Sequence, residues 1–343
     1  MAKQNVSTPR FYIDHLQYIR AIGQGFPVRV DEDIFNLNPS SFLANKSANV
    51  DTNWWDFGIA FPPTDDDGDI ASGIPNVNYG RLNYVAILGH NLKSCMAEED
   101  SELNLGFRDN VGFSGQADYY VSDYNPVEVV NFDAYTSVPL DGFSIATFDD
   151  IDFNGINLWF SLTNTVAENK IGSLSLGGYY EMPHSPELSL TLSHEYKGVT
   201  KQTTMGGSTL TNINYYKPPK WGDKEAWQLG NFPRKYSGRR VWDLSFNYLN
   251  DEDLEPTSYH IDESHTSDWK DNWFSNILYY TMGGALPFIF QPNKDATYDW
   301  NEDTGQVTNI PEFAICRFDM DTFSREQVAN SVYNIKVKIK ESW

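Results

Sequence analysis

Short apolar runs separated by Gly, Pro, Asn, Asp and Ser make up most of the pattern along this chain. Tyr84-Val85-Ala86-Ile87-Leu88, Val127-Glu128-Val129-Val130, Ser144-Ile145-Ala146-Thr147-Phe148, Asn157-Leu158-Trp159-Phe160-Ser161-Leu162 and Ile171-Gly172-Ser173-Leu174-Ser175-Leu176-Gly177 all have strand length. No helix-length periodic segment lies between them, and strands at this spacing predict a sandwich or barrel. The continuous run ending at Gly89-His90-Asn91 predicts a central strand buried on both faces. His90 is then expected to hydrogen-bond backbone at the strand end rather than to move protons.

Beyond Pro183 and Pro186 the pattern changes. Leu188-Ser189-Leu190-Thr191-Leu192-Ser193 alternates strictly, and Val199 to Thr211, broken by Gly206-Gly207, predicts an extended hairpin with Met205 at its tip. Arg239 to Leu249 alternates with Trp242, Leu244, Phe246 and Tyr248 on one face, the signature of a half-buried strand. Asp268 to Tyr280 places Trp269, Trp273, Phe274, Ile277, Leu278 and Tyr280 at helical spacing, with Gly283-Gly284 as the stop. Strands are expected next at Leu286-Pro287-Phe288-Ile289-Phe290, Phe313-Ala314-Ile315-Cys316-Arg317-Phe318 and Tyr333 to Lys340. Near the start, Arg10 to Arg20 fits both a helical and an alternating reading, and Gly23-Gln24-Gly25 and Pro27 break the pattern after it.

The chain is therefore expected to be mainly β. At 343 residues it exceeds the size at which one core stops growing, which argues for two domains. The expected division is an N-terminal arm (1–30), a β-sandwich domain (31–185) and a smaller β domain with an extended hairpin and one helix (186–343).

Charge removes several classes of partner. With 25 Lys+Arg against 47 Asp+Glu the formal net charge is -22, and no basic run is longer than Arg239-Arg240. Such a field repels phosphate backbones and anionic headgroups, so direct nucleic-acid binding is not expected. No apolar stretch approaches the roughly 20 residues of a membrane helix, so no membrane insertion is expected. The polar start, Met1 to Arg10, has no apolar core of a secretory signal, which implies synthesis ending in a host cytoplasm. Composition with 40% hydrophobic and 21% charged residues belongs to a folded protein. Cys95 and Cys316 have no metal-ligand spacing and are expected to be two reduced thiols.

Candidate chemistry is sparse. Asp65-Asp66-Asp67-Gly68-Asp69 offers Asp65, Asp67 and Asp69 as oxygen ligands for calcium, but lacks the later bidentate acid of an EF-hand loop; the alternative is a solvated acidic turn. Asp149-Asp150-Ile151-Asp152 is a weaker version of the same feature. His260 and His265 have the wrong interval for a zinc helix, and His184 and His194 are expected at the surface. No GxSxG, Walker or GxGxxG signature occurs, so neither an enzyme nor a resident cofactor is expected. Trp54, Trp55 and Trp159 either stack against a sugar ring or fill the sandwich core.

Two stretches carry a likeness to known proteins. Thr8-Pro9-Arg10-Phe11-Tyr12-Ile13-Asp14 and Asn83-Tyr84-Val85-Ala86-Ile87-Leu88-Gly89-His90-Asn91-Leu92 resemble structural proteins of tailed bacteriophages, in which such a strand belongs to a jelly-roll of the galactose-binding-like kind. The order Arg240 to Phe246, helix to Tyr280, Gly283 to Pro292, then Phe313 to Phe318 is similar to the minor tail and distal tail family. That likeness covers the last third of the chain and lies in pattern more than in fixed residues. The family's Gly-Asp-Gly-Tyr turn is replaced by the looser Trp221-Gly222-Asp223. The resemblance implies a jelly-roll for residues 31–185 and a tail-ring-like β domain for 186–343. It implies a virion subunit at the distal tail or baseplate, assembling into a ring with copies of itself and other virion proteins. Tyr12 and Ile13 in the arm, Met205 at the hairpin tip and Trp343 at the C-terminus are the assembly contacts expected on that reading. Rival readings are a module that recognises host surface glycan through Trp54 and Trp55, a polysaccharide depolymerase, and a capsid-decorating or neck protein.

Overall fold

The computed structural model describes residues 6–22, 43–45, 57–60, 81–91, 103–108, 128–130, 142–152, 157–162, 169–214, 237–255, 272–296, 299–301, 306–309 and 312–342. The first half contains β1 (Arg10–Asp14), α1 (His15–Ala21), β2 (Leu43–Asn45), β3 (Phe57–Ala60), β4 (Arg81–His90), β5 (Leu103–Arg108) and β6 (Glu128–Val130). Next come β7 (Gly142–Asp152), β8 (Asn157–Leu162), β9 (Asn169–Ile171), β10 (Ser173–Glu181), β11 (Thr191–Glu195), β12 (Val199–Thr203) and β13 (Thr209–Ile213). The remainder is β14 (Arg239–Asn250), α2 (Asp251–Leu254), a π-helical turn (Phe274–Leu278), β15 (Phe288–Gln291), β16 (Asp299–Asn301), β17 (Gln306–Asn309), β18 (Ala314–Phe318), β19 (Arg325–Ala329) and β20 (Val332–Glu341).

The protein is mainly β, with large antiparallel sheets. Eleven strands form one sheet in the order β11-β14-β20-β18-β15-β1-β10-β4-β7-β6, with β19 also paired to β20. Residues 10–14, expected in an arm, form the strand at the middle of that sheet, between β10 and β15. Because β10 and β15 lie on opposite sides of the 185/186 boundary, the sheet runs through all three expected segments.

Both faces of β1 are buried, for different reasons. Phe11 and Ile13 face a larger core covered by Leu16 and Ile19 of α1 and by Trp273, Ile277 and Tyr280. The Phe11 ring sits 5.3 Å from Trp273, 5.2 Å from Phe290 and 5.6 Å from Phe288. Tyr12 points the other way, into a core made with Tyr84, Leu88, Phe143, Ile145, Ile289, Phe313 and Ile315. All of these belong to the same sheet or its immediate flank. β18 and β7 are five strand steps apart, which is about 24 Å in a flat sheet, yet the Phe143 and Phe313 rings meet at 5.0 Å. The sheet is therefore rolled around Tyr12, and it closes its own second core by curvature, as twisted sheets of this width do.

The ambiguous N-terminal segment resolves into both of its readings in succession. Arg10–Asp14 alternates between two buried faces, and His15–Ala21 turns helical once the Asp14 side chain caps it by accepting from the amides of Leu16 and Gln17. Alternation in β14 holds for Trp242, Leu244 and Phe246 but breaks at Tyr248. A bulge between Phe246 and Leu249, with Tyr248 at φ 62°, turns Tyr248 outward to 74% exposure and puts Leu249 in the core. The expected helix at 268–280 is helical in its described part, where Phe274–Leu278 takes π register; residues 268–271 lie outside the described residues. Leu188, expected in a strand, is wholly exposed, and the strand starts at Thr191.

Candidate functional site

Three groups of side chains depart from ordinary core or surface placement. The first surrounds the β1–α1 junction. Asp14 is buried, accepts two amide hydrogen bonds through Oδ1, and has no hydrogen-bond partner at Oδ2. Burial raises its carboxyl to about 7, and the opposing contacts with the Gln17 amide, the Ser175 hydroxyl and the Leu16 and Leu176 backbone do not cancel that rise. The neighbouring His15 is also buried, its ring stacked 4.2 Å from that of Tyr280, and burial lowers it to about 3. Both groups are thus neutral together between about pH 3 and about pH 7. The Tyr84 hydroxyl, 2.9 Å from Ser175 Oγ, extends the cluster, and burial and the nearby Asp14 carboxyl push it well above the usual phenol range. Next to it, Arg10 pairs with Glu181 and lies 4.5 Å over the Tyr179 ring, while Lys294 Nζ donates to Glu181 at 2.8 Å. Burial alone would raise the Glu181 carboxyl, but Lys294 and Arg10 outweigh it and hold it below the ordinary range.

The two neutral neighbours give the protein a pH signature. A folded-state pKa of about 7 for Asp14 means that the stability it contributes is lost as pH rises from about 4 to about 7; the lowered value of His15 makes its contribution fade as pH falls from about 6.5 to about 3. In the wild type the two slopes oppose each other. Asp14→Asn removes the Asp14 slope, so urea unfolding at a series of pH values should show the variant gaining on the wild type by on the order of 3 kcal/mol between about pH 4 and pH 7. A difference that stays constant with pH would refute the protonated Asp14.

The second group is a buried ion pair between neighbouring strands. Arg240 Nη2 donates to Glu341 Oε1 at 3.0 Å and to the Phe313 carbonyl at 3.2 Å, and the Arg240 amide donates to Glu341 Oε2 at 3.1 Å. Glu312 lies 3.9 Å from Nη1, and the guanidinium sits 5.2 Å over the Trp242 ring. Cys316 adjoins the pair; burial first, and the Glu341 carboxylate second, keep its thiol protonated and unreactive. Arg240 and Glu341 are both buried and hydrogen-bond each other across neighbouring strands, which makes the pair a strand clamp.

The third group is different because nothing in the described chain covers it. β12 and β13 pair only with each other, from Val199↔Ile213 to Thr203↔Thr209. Along both strands, the side chains after Val199 are exposed on both faces. The turn is closed by Thr204 and Ser208, with Gly207 at φ 81°, a conformation that glycine adopts freely. At the tip Met205 is 109% exposed, and Leu210 and Ile213 are also large apolar side chains in solvent. Strands of five residues reach about 17 Å from their base.

The placement of the expected site residues is uneven. Met205 is at the hairpin tip, where the alternation and the Gly-Gly pair put it. Tyr12 and Ile13 are a correction: at 0% and 1% exposure they are core residues, because β1 is flanked by strands on both edges and covered on both faces, so neither is available to a partner. Trp159 lies in β8 opposite Gly58 and Gly106. Trp54, Trp55, Asp65, Asp67, Asp69 and Trp343 lie outside the described residues, as does Cys95. His90 is buried, and its Nε2 hydrogen-bonds the Ser144 hydroxyl at 2.9 Å.

No family model, curated protein or solved structure matches this chain. Among the described residues no three His, Cys, Asp or Glu side chains gather as a metal site, and no helix is long and apolar enough to cross a membrane. The three groups therefore stand on their own chemistry. The Asp14 and Arg240 clusters were not anticipated as units, although the signals existed: Asp14 stands as an N-cap before His15-Leu16, and Arg240 and Glu341 are charges at the ends of apolar alternations.

Proposed function

We propose that this chain is a structural subunit of a tailed-phage virion that assembles into a ring at the distal tail or baseplate, and that it acts by assembly rather than by catalysis. The observation that carries this reading is the β12–β13 hairpin, a two-stranded ribbon with apolar side chains held in solvent beside an otherwise well-filled sheet core. Isolated two-stranded hairpins are at best marginally stable in water, and contact with a partner surface removes that weakness. The order of strands and helix in the last third of the chain, similar to the minor tail and distal tail family, supports the same role. Its partners are copies of itself and other virion proteins, and its place is the virion.

The test is negative-stain imaging of the purified chain together with light scattering over a range of concentrations. Closed annuli of uniform diameter are the expected result. Particles that remain monomeric at every concentration would overturn self-assembly into a ring.

A further inference from the structure

The hairpin also specifies its partner. Resting on the ring reading above, we propose that β12–β13 docks on the acidic body of a second copy of this chain, head to tail, and forms the contact between neighbouring subunits.

Charge is the first argument. The chain has a net charge of -22, so two copies repel at most approaches. Between Tyr196 and Asn214, the hairpin and its base, there is no carboxylate, and there are two lysines, Lys197 and Lys201. Lys197 is paired with Glu195 at the hairpin base, whereas Lys201 stands exposed in the middle of β12. The hairpin is thus a projecting segment of this acidic protein that another acidic copy attracts.

Orientation is set by the same charges. If the hairpin met the same hairpin of its neighbour across a twofold axis, Lys201 would face its own counterpart in a ribbon with no carboxylate to balance it. A heterologous contact, hairpin against body, places the lysine against negative surface instead. Heterologous contacts close into rings when the rotation permits and otherwise extend as filaments.

Backbone and apolar groups supply the rest. Each hairpin strand pairs on one side only among the described residues, which leaves two outer edges for strand addition. Met205, Leu210 and Ile213 are the side chains whose burial would favour the complex.

Sedimentation velocity of the full-length chain tests this with Met205→Asp, Leu210→Asp and Lys201→Glu compared with the wild type. These side chains are exposed, so far-UV circular dichroism and thermal midpoint should be unchanged in all three, and Met205, at the turn, serves even if Leu210→Asp loosens the ribbon. The expected result is a wild-type oligomer whose dissociation constant rises about tenfold or more in each variant. Variants that assemble as tightly as the wild type would overturn the role of the hairpin and leave ring assembly standing. A wild-type chain that stays monomeric would overturn both.

Discussion

Replacing Gly177 by alanine should lower the unfolding free energy by about 4 kcal/mol or more, among the largest effects available to a single methyl group. Gly177 lies in β10 opposite Asp14, where the chain leaves β1 and turns into α1 over the strand. A Cβ there would collide with the Ile13 carbonyl oxygen and stand 2.9 Å from the His15 amide nitrogen. Those are backbone atoms held on one side by the ladder to β15 and on the other by the Asp14 cap, so no side chain can swing aside to relieve the clash. Relief requires moving β1, the strand that carries both cores. Gly206 is the internal comparison: nothing lies within 4 Å of a Cβ built there, and Gly206→Ala should change stability by no more than about 0.5 kcal/mol. Urea unfolding of the two variants side by side reads the difference directly. Equal midpoints would show that β1 does not cross β10 at so close a distance.

Glu341→Ala should cost about 3 to 5 kcal/mol, because it takes from the Arg240 guanidinium, in a site that is 6% exposed, the carboxylate that accepts from it at 3.0 Å. Arg240→Met should cost a similar amount by leaving the Glu341 carboxylate buried without its main partner. Removing both charges is expected to be cheaper than removing either one, since neither ion is then left buried without the other. Some cost remains in the double variant, about 1 to 3 kcal/mol, because the Arg240 amide also donates to Glu341 and would lose its acceptor. A double-mutant cycle by chemical denaturation separates these contributions. Strictly additive single and double effects would mean that the two side chains do not act as a pair.

The clamp and the hairpin have opposite physical characters. Arg240 and Glu341 satisfy each other inside the sheet, so changing them alters stability with no direct effect on a partner. Met205, Leu210 and Lys201 touch no core, so changing them should leave folding intact and alter only association. That separation makes the assembly reading testable without confusing loss of fold with loss of function.

Strand character was legible wherever turn residues bounded an apolar run. Runs within 84–88, 157–162, 313–318 and 333–340 coincide with strands, and the hairpin with Met205 at its tip comes from alternation interrupted by Gly206-Gly207. Tyr248 shows where that reading stops. Alternation places it with Trp242, Leu244 and Phe246, but one extra residue in the ladder reverses the side of everything after it. A bulge is decided by the partner strand, here β20, whose Asn334 side chain accepts the Tyr248 amide at 3.1 Å.

Local pattern and composition determined that this protein is mainly β, where most of its strands lie, that it carries an extended hairpin, and that its formal net charge is -22. Those properties depend on near neighbours in the chain or on composition, and both are present in the sequence. Tertiary structure decided that Arg10–Asp14 is a central strand, that Tyr12 and Ile13 are therefore buried, that the sheet rolls to close its own second core, and that Asp14 and His15 are buried side by side. Each of these depends on residues more than a hundred positions apart meeting across a ladder, as Tyr12 meets Tyr179 and Ile289. A five-residue alternation reads the same at the edge of a sheet as at its centre. Only the strands on either side of it determine which.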